Sequence, residues 1–411
     1  MNSLVVGLLV MGLSAACGCR RNPPRPDTAP AAKTPISPTE IAGAQRYVRY
    51  CALCHGAHAE GYAADNAPSL VSPTFAATAS DEFLRAGIAW GRPGTAMAGY
   101  SKAIGGPLDP AEIDSLIAYL HIGAPPPVAL STAPIAGDPV KGQTVYVTRC
   151  ASCHGTPTQR GNSVHLANAL LLSSAGDSFL RYAVAHGRPG TRMEAWEGKL
   201  DPSSIDNVVA YLRSLMPSGT ALATTALATT TRATTTLATT MSTTVGMEPA
   251  LPVQGPIVIN PKGQAPTFDL REDRFASLVS VKQALDKRQR IVIVDARPPS
   301  DWLRLHIPGS ISIPYYDLKA IDDLPKDGTW IIAYCACPHH ASGVVVDELR
   351  KRDFKHSAVL DEGVFAWQHA GYPVIAAPGT LPVPAPPVSP GALSPTAPRP
   401  VTTAPRQPAR P

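Results

Sequence analysis

The chain has 411 residues, enough for two to four compact domains, but 44 of them are proline, so part of that length is tether rather than core. A formal net charge of +5 with no run of Lys or Arg behind it speaks against a nucleic-acid partner. The cysteines fall in close pairs at 17/19, 51/54, 150/153 and 335/337. A disulfide framework scatters its partners, so pairs this tight point to covalent attachment, metal binding or redox chemistry.

In chain order, the N-terminus MNSLVVGLLVMGLSAACGC is a short apolar run followed by small residues and a cysteine. The run falls short of the ~20 residues a membrane span needs, which predicts an export signal over residues 1–16. The stretch LSAAC resembles a bacterial lipoprotein cleavage site. That resemblance makes Cys17 the lipidated first residue of the mature protein, held to the outer side of a membrane. It departs from the pattern in having Ser14 where leucine is usual and no Lys or Arg before the apolar run. A Pro-rich linker follows over 17–37.

The next segments occur twice. GAQRYVRYCALCHG (43–56) returns as GQTVYVTRCASCHG (142–155), and DEFLRAGIAWGRPGTAM (81–97) returns as DSFLRYAVAHGRPGTRM (177–193). LDPAEIDSLIAYL (108–120) returns as LDPSSIDNVVAYL (200–212). Order and spacing are kept, so one domain has been duplicated in tandem, over 38–124 and 134–217. Each copy closes with a predicted helix. Ile113, Leu116, Ile117 and Leu120 form an i, i+3, i+4, i+7 stripe, repeated by Ile205, Val208, Val209 and Leu212. Asp109 and Asp201 are placed as N-caps, with Pro110 and Pro202 at the first helical position.

CALCH (51–55) and CASCH (150–154) both match C-x-x-C-H, the attachment pattern for c-type haem. Two thiols one helical turn apart add to the two vinyl groups, and the next imidazole then lies beneath the iron. Thioredoxin-like or zinc C-x-x-C pairs would explain neither histidine. With these residues in view, each copy resembles a class I cytochrome c domain. The resemblance includes the helix-crossing pairs Gly43 with Tyr119 and Gly142 with Tyr211. It implies an all-α fold, thioether bonds at Cys51, Cys54, Cys150 and Cys153, and His55 and His154 as proximal axial ligands. It also implies Met97 and Met193 as distal ligands in the loops GRPGTAM and GRPGTRM. The second copy departs from the pattern where Val164 stands in place of Pro68, and its His165 and His186 are rivals to Met193; lone His58 reads as solvated. His/Met ligation leaves no open iron position and favours electron transfer over oxygen chemistry.

After Met216 a Thr/Ala-rich tract reads as a flexible linker over 218–262. Residues 265–378 then alternate strand candidates (IVIVDA, SISIP, WIIAYC, AVLD) with helical stretches, which predicts an α/β domain with a parallel sheet. A Pro-rich tail occupies 379–411. Within the α/β domain lies CACPHH (335–340). A third haem would need one more spacer and a histidine in place of Pro338. A zinc site would need a tetrahedron from one tight loop. A nucleophile loop fits the context best: a buried strand runs in, a helix runs out, and a cysteine at that turn meets free N–H groups that stabilise its anion.

VDARPPSDWLRLHIPGSISIP (294–314) and LDEGVFAWQHAGYPV (360–374) resemble the two long signatures of the rhodanese family. The resemblance implies that Cys335 takes up a sulfane sulfur as a persulfide. The family loop C-x-x-G-x-R-S is altered, with Pro338 for the Gly and His340 for the Arg, and Leu305 stands where Gly is frequent. A histidine holds an anion only when protonated, so polysulfide or a protein persulfide fits as donor at least as well as thiosulfate. His339 and His340 are then candidate anion-binding groups and Cys337 a candidate resolving thiol. The whole reads as an exported, lipid-anchored protein with two covalent haem c groups and a sulfurtransferase-like domain. Its expected partners are redox proteins of the cell envelope and a sulfane-sulfur donor. The rival expectation is a plain electron carrier for a dehydrogenase or oxidase, with the last domain serving to dock or sense.

Overall fold

A computed structural model of the protein describes residues 36–216, 256–336, 339–378, 380 and 383–384. The export signal, Cys17, Cys337, most of the Thr/Ala-rich linker and nearly all of the Pro-rich tail lie outside the described residues.

The first copy of the repeat runs α1 (Pro38–Tyr50), α2 (Ala52–His55), α3 (Pro73–Ala76), α4 (Asp81–Trp90) and α5 (Pro110–Leu120). The second runs α6 (Pro139–Arg149), α7 (Ala151–His154), a two-stranded turn β1 (Gly155–Thr156) and β2 (Gln159–Arg160), α8 (Ala169–Ser174), α9 (Asp177–His186) and α10 (Pro202–Ser214). In each, the first and last helices cross at a glycine. A Cβ on Gly43 would lie 1.9 Å from the Ser115 carbonyl oxygen, and one on Gly142 would lie 1.9 Å from that of Asn207. Only glycine lets the backbones meet this closely. Tyr47 and Tyr119 pack beside the first crossing, Tyr146 and Tyr211 beside the second, each pair with ring centroids 5.2 Å apart. The closing helices begin as expected: Asp109 and Glu112 form a reciprocal capping box, and the Asp201 carboxylate accepts from the Ser204 N–H.

The two copies pack around a pseudo-twofold. Ser72 and Asn168 occupy equivalent places; Ser72 Oγ donates to the Pro189 carbonyl at 3.0 Å, and Asn168 Nδ2 donates to the Pro93 carbonyl at 2.8 Å. Each copy therefore holds the other's GRPGT loop. Phe75, Phe83 and Phe179 pack between them, with the Arg188 guanidinium over Phe75 and Phe179.

The third domain runs β3 (Phe275–Ala276), α11 (Leu278–Asp286), β4 (Ile291–Asp295), α12 (Pro299–Arg304), β5 (Leu305–His306), β6 (Ile311–Ser312), β7 (Trp330–Tyr334), α13 (His340–Lys351), β8 (Ser357–Leu360), α14 (Gly363–His369) and β9 (Ile375–Ala376). Five strands form one parallel sheet in the order β3-β8-β7-β4-β6. The uniformly apolar β4 and β7 at its centre are buried on both faces, as such sheets require. This domain is longer at both ends than its sequence suggests. Ile259 bridges antiparallel to Ile291, with Ile257 and Val258 against the core, so the expected linker end at 262 falls inside the fold. Beyond 378, Thr380 donates to the Arg304 carbonyl. Among the described residues, no helix is long and apolar enough to cross a membrane.

Candidate functional site

Each C-x-x-C-H segment is a single turn of helix fastened from below. The Tyr47 hydroxyl donates to the Gly56 carbonyl at 2.7 Å, and Tyr146 does the same for Gly155 at 2.9 Å. Cys51 and Cys150 end the preceding helices, and the His55 and His154 amides each bond back to them at 2.9 Å. His55 Nδ1 lies 2.9 Å from the Pro68 carbonyl and His154 Nδ1 lies 2.7 Å from the Val164 carbonyl. Each ring then donates through Nδ1, which leaves Nε2 as a base with no hydrogen-bond partner among the described residues. Since a main-chain oxygen does the steering, the change from Pro68 to Val164 leaves the geometry intact.

The four thiols are free. Burial pushes Cys51 and Cys54 up to about 12, with Cys335 adding to the rise at Cys54, and burial pushes Cys150 up to about 11. Such thiols are poor thiolates, which counts against a thioredoxin-like dithiol. Among the described residues no group of three or more His, Cys, Asp or Glu is placed to hold a bare metal ion. Two free thiols one turn apart, next to a histidine with an open Nε2, fit a porphyrin iron tied by two thioether bonds.

The two methionine loops are superimposable in their bonding. Thr95 Oγ1 donates to the Arg92 carbonyl at 2.7 Å and accepts from the Met97 N–H at 3.1 Å; Thr191, Arg188 and Met193 repeat both distances. The rival histidines have neighbours of their own. His165 is buried against His154 and Arg160, with neither ring nitrogen hydrogen-bonded. His186 stacks on Tyr182 and pairs with Glu197. His58 is exposed.

In the third domain, β7 delivers Cys335, which is 2 % exposed. Its Sγ lies 3.3 Å from the Ser342 hydroxyl on α13. Gly363, at φ +73°, stands where a Cβ would come within 2.8 Å of the Cys335 carbonyl, and the Val364 N–H donates to that carbonyl. Ser342 gave no signal in the sequence, because it lies one residue beyond the signature loop. The Asp295–Arg297 pair of the first signature is buried within the fold and braces the turn through the Leu305 carbonyl.

His339, a candidate anion-binding group, is engaged within the domain. Its residue adopts φ +83°, its ring lies on Phe275, and its Nε2 is 2.7 Å from the Asp361 carboxylate. Arg271 grips the same carboxylate with two bonds, and Arg271 first, then His339, holds the Asp361 carboxyl below the usual range. A depressed carboxyl stabilises the fold above its unfolded value and loses that contribution as pH falls through the folded one. Arg271→Gln should therefore flatten the loss of stability on acidification below about pH 4, as read from urea midpoints. His340 opens α13, and Cys337 lies outside the described residues.

The third domain packs on the first cytochrome copy. Helix α13 packs on α2, and Leu53 and Ala96 pack against the core of the third domain. Tyr100 and Tyr315 both donate to the Tyr50 carbonyl, at 3.0 and 2.6 Å, and Tyr316 meets the Tyr50 ring edge-on at 4.8 Å. Ser300 donates to the Gly99 carbonyl.

Comparison with known proteins finds two families along the chain. The family described as cytochrome C oxidase, cbb3-type, subunit III matches residues 39–120 and 137–212, and the rhodanese-like domain family matches 277–370. The chain is 31% identical over 176 residues to the cbb3-type cytochrome c oxidase subunit FixP of Bradyrhizobium sp. (strain ORS 278), covering 40% of this chain and 57% of that protein. It is 35% identical over 83 residues to cytochrome c55X of Stutzerimonas stutzeri, covering 20% of this chain and 73% of that one. A solved thiosulfate sulfurtransferase from Pseudomonas aeruginosa is 28% identical, with TM-score 0.24, over 25% of this chain and 20% of that one. The chain thus spans little more than half of its cbb3-type relative.

Proposed function

From a chain that belongs to the c-type cytochromes, with two domains of the cbb3-type subunit III family and a rhodanese-like domain, we propose a di-haem electron carrier of the cell envelope whose last domain handles sulfane sulfur through Cys335. The observation that carries the electron-transfer half is the pair of matched sites, each with a thiol pair, a histidine with open Nε2 and a methionine on a rigid loop. The haem iron, once bound, supplies a one-electron couple. Cys51, Cys54, Cys150 and Cys153 would hold the macrocycles covalently, and His55, His154, Met97 and Met193 would supply the protein ligands to the irons. With a histidine and a methionine both holding the iron, no position would be left for oxygen or peroxide, which favours electron transfer. The pseudo-twofold, which has each copy hold the other's methionine loop, suits a relay between the two irons. Location on the periplasmic side of a membrane, with Cys17 as lipid anchor, is part of the same reading, as are envelope redox proteins as partners.

At Cys335 the thiolate attacks the sulfane sulfur of a polysulfide. The donor's S–S bond breaks, its electron pair leaves with the shortened polysulfide, and a persulfide forms on Cys335. Ser342 is placed to donate a hydrogen bond to that sulfur. Brief exposure to polysulfide should add the mass of one sulfur to the wild type and none to Cys335→Ser; labelling that persists in Cys335→Ser overturns the assignment. A second reading, a rhodanese-like domain that docks or senses without turnover, draws on the deep burial of Cys335 and predicts no labelling of either chain.

The axial assignment has its own test. Met97→Ala and Met193→Ala should each remove part of the long-wavelength absorption of ferric methionine-ligated haem and lower one of the two potentials. An unchanged spectrum in Met193→Ala would transfer that role to another side chain.

A further inference from the structure

The two cytochrome copies differ systematically around their C-x-x-C-H turns and methionine loops. In the first copy the positions are Leu53, Ala96 and Ala98; the equivalents in the second are Ser152, Arg192 and Glu194. Ala98 is buried and Leu53 and Ala96 are partly buried, whereas Ser152, Arg192 and Glu194 are exposed. A site held between His55 and Met97 has Leu53 on its histidine wall and Ala96 on its methionine wall, and both pack against the third domain. An apolar rim of this kind, left bare, is the sort of patch that soluble surfaces avoid. Its cover is on the same chain.

The covering surface is also polar where it must be. The Tyr50 carbonyl, next to Cys51, accepts from both the Tyr100 and Tyr315 hydroxyls, which lie 3.2 Å from each other. Ser300 takes the Gly99 carbonyl, and Arg304 reaches the Trp90 carbonyl at 3.4 Å. Main-chain oxygens of the first copy, those of Tyr50 and Gly99 among them, thus accept from side chains of the third domain, as a specific interface requires. Helix α13, which follows the Cys335 loop, packs on α2, the turn that carries Cys54 and His55.

We propose that the rhodanese-like domain docks on the first cytochrome domain as its redox partner, so that electrons released at Cys335 enter the first haem, and that the open polar face of the second domain is the outlet to external proteins. This rests on the sulfur reading of Cys335. The substrate class it selects is inorganic sulfide. The Cys335 thiolate and a hydrosulfide ion join in an S–S bond to give a persulfide anion, one proton and two electrons. The ferric irons of the two haems, each reduced once, take up the electrons, and the proton goes to solvent. A small anion of this kind suits a thiol that is 2 % exposed beneath a docked surface.

The test uses the full haem-loaded chain in three forms: wild type, Leu53→Arg and Ser152→Arg, the last being the equivalent site of the open copy. Desolvating a guanidinium against the core of the third domain opposes docking, so hydrogen exchange across 299–304 and 312–318 should rise by at least about tenfold in Leu53→Arg. Ser152→Arg should leave both segments unchanged. Anaerobic reduction of the haems by sulfide should slow by a similar factor in Leu53→Arg alone. Equal exchange in the two variants overturns the docking. If Leu53→Arg fails to load its haem, Tyr315→Phe, which loses both hydroxyl contacts, should raise exchange in the same direction by a smaller factor, and no rise there overturns it equally. Polysulfide labelling of Cys335, run alongside, should persist in Leu53→Arg. Its absence from the wild type would overturn the sulfur reading while the exchange result still decides the docking.

Discussion

A chain with Cys51→Ala and Cys54→Ala should carry one covalent haem in place of two, and the haem it keeps should be low-spin. The argument is stoichiometric. Each C-x-x-C-H turn holds its own thiol pair and its own histidine with an open Nε2, and the two copies share no attachment residue. The intact copy keeps both its ligand loop and the Tyr146 bond under its turn. Haem-to-protein ratio, measured after extraction with acid acetone, should fall by half; a ratio unchanged from wild type would show that attachment does not depend on these thiols. The corresponding Cys150→Ala and Cys153→Ala chain should give the same ratio and keep the other haem.

Gly43→Val should be the most damaging single change in the first domain outside the haem site. Its new Cβ would meet the Ser115 carbonyl oxygen at 1.9 Å and the Tyr119 Cβ at 2.9 Å, so α1 and α5 must separate. Overpacking of ordinary cores costs about 1–3 kcal/mol, and a clash with main chain on both sides belongs at or above the top of that range. For a domain of this size that corresponds to a fall in melting temperature of about 15 °C or more. Gly176→Ala is the control. It has open space around it and an ordinary N-cap backbone at φ -67°, so it should cost no more than the loss of a helix cap, about 1 kcal/mol. Calorimetry of both chains separates a packing effect from a general intolerance of substitution.

Much of this architecture is legible in the sequence because its causes are local or repeated. The duplicated GRPGT loops, the Asp-Pro helix starts and the glycine–tyrosine crossings each recur at fixed spacing, and each does in the fold what its chemistry suggests. The apolar runs IVIVD and WIIAY likewise become the central strands. What stays hidden is long-range. The Tyr315–Tyr50 hydrogen bond joins residues 265 apart, with no periodicity to announce it. Val164 looks like a defect only if the side chain is thought to steer His154, whereas the carbonyl does. His339 looks like an anion ligand until Asp361, brought up by a different strand, occupies its ring nitrogen. Ile259 reads as linker because a one-residue bridge to β4 leaves no pattern of its own.

The measurement that bears most directly on the account is anaerobic haem reduction in the full chain, wild type against Cys335→Ser, with sulfide as the only electron source and dithionite as a control for haem competence. Both proteins should reduce fully with dithionite, since Cys335 touches neither attachment pair covalently nor any axial ligand. The wild type should also reduce with sulfide, and Cys335→Ser should lose most of that rate. Equal rates in the two proteins would contradict the account and leave a di-haem carrier whose rhodanese-like domain takes no part in electron flow.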